Sequence, residues 1–159
     1  MGVLEVGKMY RPTDIAVDVA NDVVYVVEQF NHRISKWDYT PGAFTFTLDT
    51  GFGTNGVAGT PGGAGDGGPT DTNLQFPTNI ILNSAGNLLI SDTRNHRIRV
   101  MDSDGNFIES FGTAGQATTG NEFYRPSGLD ADNTDDILMI ADELTIDVKH
   151  TLLLFLILL

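Results

Sequence analysis

The chain contains no cysteine. That removes disulfides, thiolate metal sites and a Cys nucleophile, and leaves the compartment open because secreted β proteins can also lack it. Basic residues are scarce too: 9 Lys and Arg stand against 21 Asp and Glu, a formal net charge of −12 over 159 residues. Such a surface repels phosphate backbones and lacks the basic footprint of a nucleic-acid binder, while also serving plain solubility. No long stretch carries helical periodicity. The start, Met1-Gly2-Val3-Leu4-Glu5-Val6, shows neither a charged region before an apolar core nor a small-residue cleavage site, and Val6 stands where a myristoylation signal needs Ser or Thr. The apolar run Leu152–Leu159 is less than half of the ~20 residues a membrane-spanning helix requires.

What is abundant is glycine, with 18 residues, among many Thr, Val and Ile at a hydrophobic fraction of 41%. This composition predicts an all-β chain with many turns and one-domain size. The sequence also repeats itself. Arg11-Pro12-Thr13-Asp14-Ile15-Ala16-Val17-Asp18 leads to Asn31-His32-Arg33-Ile34, and Phe76-Pro77-Thr78-Asn79-Ile80-Ile81-Leu82-Asn83 leads in the same way to Asn95-His96-Arg97-Ile98. A third copy starts at Arg125-Pro126-Ser127-Gly128-Leu129 and reaches Ile140-Ala141-Asp142, where Thr145-Ile146-Asp147 replaces the expected triplet. Units recurring at a few tens of residues mark a propeller or solenoid, in which no unit buries its apolar face alone.

Each copy reads as short antiparallel strands joined by tight turns. In the second they fall at 79–82, 88–91, 97–101 and 107–111; in the first at 15–17, 23–27, 34–37 and 44–48. The innermost strands look apolar on both faces, and Trp37, Phe44, Phe46, Phe107 and Phe111 are expected between adjacent blades. Four strands in a meander make a propeller blade. The blades are expected at about 10–50 and 76–112, with a partial one at 124–144 and a Gly-rich inter-blade loop at 51–75. Near Leu144 pattern and composition change abruptly. The tail 145–159 therefore reads either as a shift of reading frame or as a genuine short end whose apolar residues pack as the last strand.

The pattern Pro-x-x-Ile-Ala-Val-Asp, a strand ending in an acidic residue, two further residues and Asn-His-Arg-Ile resembles the NHL repeat. The loop Gly65-Asp66-Gly67-Gly68-Pro69, followed by Leu74 and Pro77, looks like the inter-blade segment of bacterial NHL proteins. The resemblance spans roughly residues 10–142 and suggests a fragment or truncated member. It implies a β-propeller, often six-bladed, that serves mainly as a platform for protein or ligand binding. Some relatives are lyases acting on peptidyl-hydroxyglycine and others are RNA-binding propellers.

The repeat-defining turn is Glu28, Asn31, His32 and Arg33 in one copy and Asp92, Asn95, His96 and Arg97 in the next. Asp92 and Asn95 can accept backbone N–H bonds across the turn, Asn tolerates the left-handed conformation, and Arg97 can pair with a carboxylate across the blade. A device repeated in every blade reads as structure, whereas a site occurs once. Repeat-related histidines converging on a metal are the rival reading. Two Gly-x-Gly-x-x-Gly matches, 51–56 and 63–68, open no helix and read as loop glycines. The acidic cluster Asp130, Asp132, Asp135 and Asp136 lacks the spacing of a calcium loop. No catalytic residue, metal or cofactor is assigned. The leading expectation is a non-catalytic binding or scaffolding module acting through its inter-blade loops on a protein or small ligand. Nucleic acid and membrane are not expected as partners, and self-association is expected if the short chain is genuine. A metal-dependent lyase or hydrolase is the first alternative, and an RNA-binding propeller, opposed by the charge, is the second.

Overall fold

The computed structural model of the chain describes residues 8–52, 74–114, 122–132 and 137–144, together with the backbone of a strand near the C-terminus. The loop residues Gly65, Asp66, Gly67, Gly68 and Pro69 lie outside the described residues, as do Asp135 and Asp136. The first blade is a meander of β1 (Pro12–Asp18), β2 (Val23–Glu28), β3 (Arg33–Thr40) and β4 (Thr45–Leu48). The second repeats it with β5 (Ile80–Leu82), β6 (Leu88–Asp92), β7 (Arg97–Met101) and β8 (Phe107–Phe111). A short parallel pair, β9 (Thr113–Ala114) and β10 (Glu122–Phe123), leads into the third sheet. That sheet holds β11 (Pro126–Asp132), β12 (Ile137–Leu144) and β13 (Thr151–Leu158) in antiparallel order. The apolar tail thus takes the third-strand position, with Leu144 paired to Thr151 and Ile137 to Leu158.

Local chemistry sets the turns. Asp18 Oδ1 accepts the N–H groups of Ala20 and Asn21, and at the equivalent place Asn83 Oδ1 accepts those of Ala85 and Asn87. Such Asx turns fold the first strand back onto the second. At Gly112, φ is 104° and an added Cβ would lie 2.2 Å from the Phe123 ring. Only glycine lets that fully buried ring approach.

Period-two alternation sorts each blade into two faces. Ala16, Val23, Tyr25, Val27 and Ile34 of the first blade meet Ile80, Leu88, Ile90 and Met101 of the second, with Phe52 and Leu74. On the other side of the second blade, Leu89, Ile98 and Val100 meet Phe123, Leu129, Leu138 and Ile140. Strand β6 is buried along its whole length because its alternate residues serve both cores. The Tyr25 hydroxyl also donates to Ser103 O at 3.1 Å, and burial pushes its pKa up to about 12.

Two expectations need correction. Phe111 does pack against the second core, but Phe44, Phe46 and Phe107 are 80%, 56% and 44% exposed. They sit on or beside β4 and β8, the outermost strands of their meanders, which among the described residues have no further strand beside them. The innermost strands are not apolar on both faces either: Asp14 and Asn79 break the pattern and link neighbouring blades.

Candidate functional site: the inter-blade turns

The Asn-His-Arg turn is a single 3₁₀ turn in both good copies, Gln29–Asn31 and Thr93–Asn95. His32 and His96 close these turns in the left-handed conformation, at φ 54° and 55°. Asn31 and Asn95 stay buried and donate side-chain bonds to Glu28 Oε2 and Asp92 Oδ2 respectively. Arg97 Nε donates to Asp92 Oδ2 at 2.7 Å and Arg33 pairs with Glu28 at 3.0 Å. Each pair is directly opposed in the strand register, Asp92 to Arg97 and Glu28 to Arg33. The cross-strand ion pair expected from the sequence is therefore present in both blades. Asn95 differs from expectation, since it donates to Asp92.

The turn also reaches outside its own meander. Asp92 Oδ1 accepts the Gln75 N–H at 2.6 Å, and the next N–H, that of Phe76, donates to His32 Nδ1 of the preceding blade at 3.0 Å. One blade on, Asp142 accepts the Tyr124 N–H at 2.8 Å and the Arg125 N–H donates to His96 Nδ1 at 3.3 Å. Two consecutive amides before Pro77 and before Pro126 are thus held, one by their own blade and one by the blade before. The clasp holds an unusual backbone: Phe76 and Arg125, each preceding a Pro, have φ of 48° and 63°, and Arg11 before Pro12 shares it at 50°. An acceptor Nδ1 requires a neutral ring with its proton on Nε2. Burial lowers the pKa of both histidines; the nearby guanidinium of Arg94 adds to this at His32, and Asp142 partly offsets it at His96. Burial pushes Asp92 and Asp142 upward, with Arg97 and the Gln75 amide pulling Asp92 back and the Tyr124 amide pulling Asp142 back.

A second inter-blade link runs along the inner strands. Asp14 Oδ2 accepts from Asn79 Nδ2 at 2.6 Å and from the Ile80 N–H at 2.9 Å, and Asn79 Oδ1 accepts the Leu129 N–H at 2.8 Å. Asp14 and Asn79 occupy the same place, two residues after Pro. Their recurrence was the sequence signal for this relay. A hydroxyl contact, Thr78 Oγ1 to Thr93 Oγ1 at 2.7 Å, adds bonds onward to Ser127 O and Pro126 O.

The same end of the blades carries a surface of arginine and aromatic rings. Arg11 lies 4.7 Å from the Phe30 centroid and Arg94 lies 4.1 Å from the Phe76 centroid. Phe30 and Phe76 touch edge-to-face at 5.6 Å, Tyr10 contacts Phe30 at 5.3 Å, and the His32 ring stands against Phe76 at 4.4 Å. In repeat terms the pair is exchanged: the pre-Pro position is Arg and the turn position Phe in the first blade, and the reverse in the second.

The histidines do not converge. Each spends Nδ1 on the following blade, and among the described residues no cluster of three His, Asp or Glu is placed to hold a metal.

Meanders whose alternate faces form successive shared cores, stitched by repeated inter-blade bonds, make an all-β arc of propeller blades. The NHL-repeat model matches residues 74–101, the segment that contains β5 to β7 and the Asp92–Arg97 turn, so the second blade carries an NHL repeat. It is 26% identical over 141 residues to the protein brain tumor of Drosophila melanogaster, a match covering 87% of this chain and 11% of that relative. The chain thus spans about a tenth of the length of the curated relative it matches. Among solved structures it resembles a luciferin-regenerating enzyme at 12% identity and TM-score 0.58, covering 88% of this chain and 40% of that one. It also resembles an auxiliary nutrient binding protein from Bacteroides thetaiotaomicron at 20% identity and TM-score 0.59, covering 80% and 34%. These structural likenesses carry the β-propeller fold.

Proposed function

We infer that this chain is a non-catalytic binding module whose partner is a protein, docked on the end of the blades where the Asn-His-Arg turns and pre-Pro residues lie. The observation that carries this reading is the exchanged Arg–Phe pair. Two successive blades present the same chemistry at one end, with Arg11 and Arg94 exposed and Phe30 and Phe76 half-buried beside them. Rigid aromatic rings and guanidinium groups dominate binding hot spots because they bury much area at little entropic cost. The polar residues of the turn itself are consumed by structure. Asp92, Asn95, Arg97 and His96 all spend side-chain atoms on internal bonds, which argues for scaffold rather than catalysis.

The test joins two measurements on the purified chain. Metal content and hydrolysis of lactone and peptidyl-hydroxyglycine substrates are measured first, and no stoichiometric metal and no turnover are expected. Partner capture is then compared between the native chain and the Arg11→Ala, Arg94→Ala double variant, with loss of the captured protein expected. Stoichiometric zinc or calcium together with turnover would replace this reading by the enzymatic one.

A further inference from the structure

Among the described residues, charge differs between the two ends of the blades. The strand register puts Asp18, Asp22, Asp38, Asp102 and Asp132 at one end, beside the β1–β2 type and β3–β4 type turns, with exposed Asp104 in the second of these. At the opposite end the register places Pro12 against Glu28 and Glu28 against Arg33, and likewise Asp92 against Arg97 and Pro126 against Asp142. There the carboxylates of Glu28, Asp92 and Asp142 are fully buried, and Arg11, Arg94 and Arg125 reach the surface. Among its described residues, a chain with net charge −12 therefore presents a cationic, aromatic end.

We propose that this end recognises an acidic protein segment, its carboxylates paired to Arg11 and Arg94 and its apolar side chains laid against Tyr10, Phe30 and Phe76. The proposal rests on the binding-module reading above and adds the chemistry of the partner. The molecule itself demonstrates the pairing. In the third blade the pre-Pro residue is Arg125, the end of β12 supplies Glu143, and the two meet at 3.1 Å with both side chains more than two-fifths exposed. Arg11 and Arg94 have no such carboxylate partner among the described residues; each guanidinium lies on a ring instead. A guanidinium stacked on an aromatic face keeps its edge free, and that edge matches a carboxylate through two parallel N–H···O bonds. An acidic segment with interspersed apolar residues uses both the arginine edges and the rings. A uniformly charged phosphate backbone uses chiefly the arginines and meets the repulsion of the rest of the surface.

The full chain is titrated into a fluorescent peptide of about twelve alternating Glu and Phe residues, which spans roughly 40 Å when extended. A Lys–Phe counterpart and a labelled oligouridine are the comparison probes. The acidic peptide is expected to bind, to weaken with added salt and to outbind both comparison probes. Arg11→Gln with Arg94→Gln is expected to weaken it roughly thirtyfold. Ala20→Asp with Ser103→Asp, which changes the net charge equally at the other end, is expected to leave binding within about twofold, since exposed charges beyond ~8 Å are screened at physiological salt. Should the Gln pair fail to fold, Arg11→Lys with Arg94→Lys keeps the charge and loses the fork, with roughly tenfold weaker binding expected and equal binding overturning the proposal. Tighter binding of oligouridine overturns it in favour of nucleic acid. If the acidic peptide does not bind, an unbiased peptide array separates the two readings. A neutral or basic sequence whose capture depends on Arg11 and Arg94 ends the acidic preference and keeps the binding face, whereas no such dependence ends both.

Discussion

At the scale of the residue, the histidine of the turn combines two properties. It sits in the left-handed region at φ 55°, and its Nδ1 accepts an amide from the next blade. Replacing His96 by Ala keeps the strained backbone and orphans the Arg125 N–H, for an expected loss of about 2–3 kcal/mol. Replacing it by Gly orphans the same amide but relaxes the backbone, so a loss smaller by about 1 kcal/mol is expected. Urea unfolding of the two variants separates the contributions, and equal losses would show that the left-handed geometry costs nothing here.

The pH dependence follows from the same ring. Both His32 and His96 are shifted below their ordinary value of 6.5, so the unfolded chain binds protons more readily than the folded one. The stabilisation is fully present above 6.5 and is lost as pH falls through that value toward the lowered ones. Asp92 and Asp142, shifted above 3.8, run the other way, because the folded state takes up their protons first. A falling melting temperature is expected between about pH 7.5 and 5.5, with roughly half the fall in His96→Gly. An unchanged pH slope in that variant would remove His96 from the account.

At the scale of the element, the inner strands are joined by side chains reaching forward, Asp14 to Ile80 and Asn79 to Leu129. Asn79→Ala removes both of its links and leaves the Leu129 amide without that acceptor, with an expected cost of about 1–3 kcal/mol. Hydrogen exchange should quicken in β11 while β2 and β3 keep their protection; uniform quickening would mean that the relay does not act at a single junction. The elements themselves were largely legible. Alternation, turn residues and the recurring Asn-His-Arg placed the strands of both full blades within a few residues, and the repeat indicated a carboxylate partner for Arg97 across the blade without naming Asp92. The inter-blade partners were not legible, because His32 meets an amide 44 positions away and His96 one 29 positions away. Nothing local marks such an acceptor. Phe44, Phe46 and Phe107 misled for a related reason: hydrophobicity does not say whether an outermost strand has a neighbour packed on it.

At the scale of the molecule, stability is shared between two cores on opposite sides of the second blade. Ile34 lies fully buried in the first core and Ile140 in the second. Each substitution to Ala should cost about 2–5 kcal/mol. Stacked repeats touch only their neighbours, so the two losses should add within about 0.5 kcal/mol. Hydrogen exchange gives the sharper test. Strands β6 and β7 are buried throughout and serve both cores, whereas β4 is mostly exposed. Protection should therefore be highest in β6 and β7 and lowest in β4. Ile34→Ala should release β1 to β4 while the second core continues to guard β7, β11 and β12. Equal loss of protection in β12 would instead show that the blades melt as one unit, with the coupling carried by the clasped amides and inner-strand relay rather than by apolar contact.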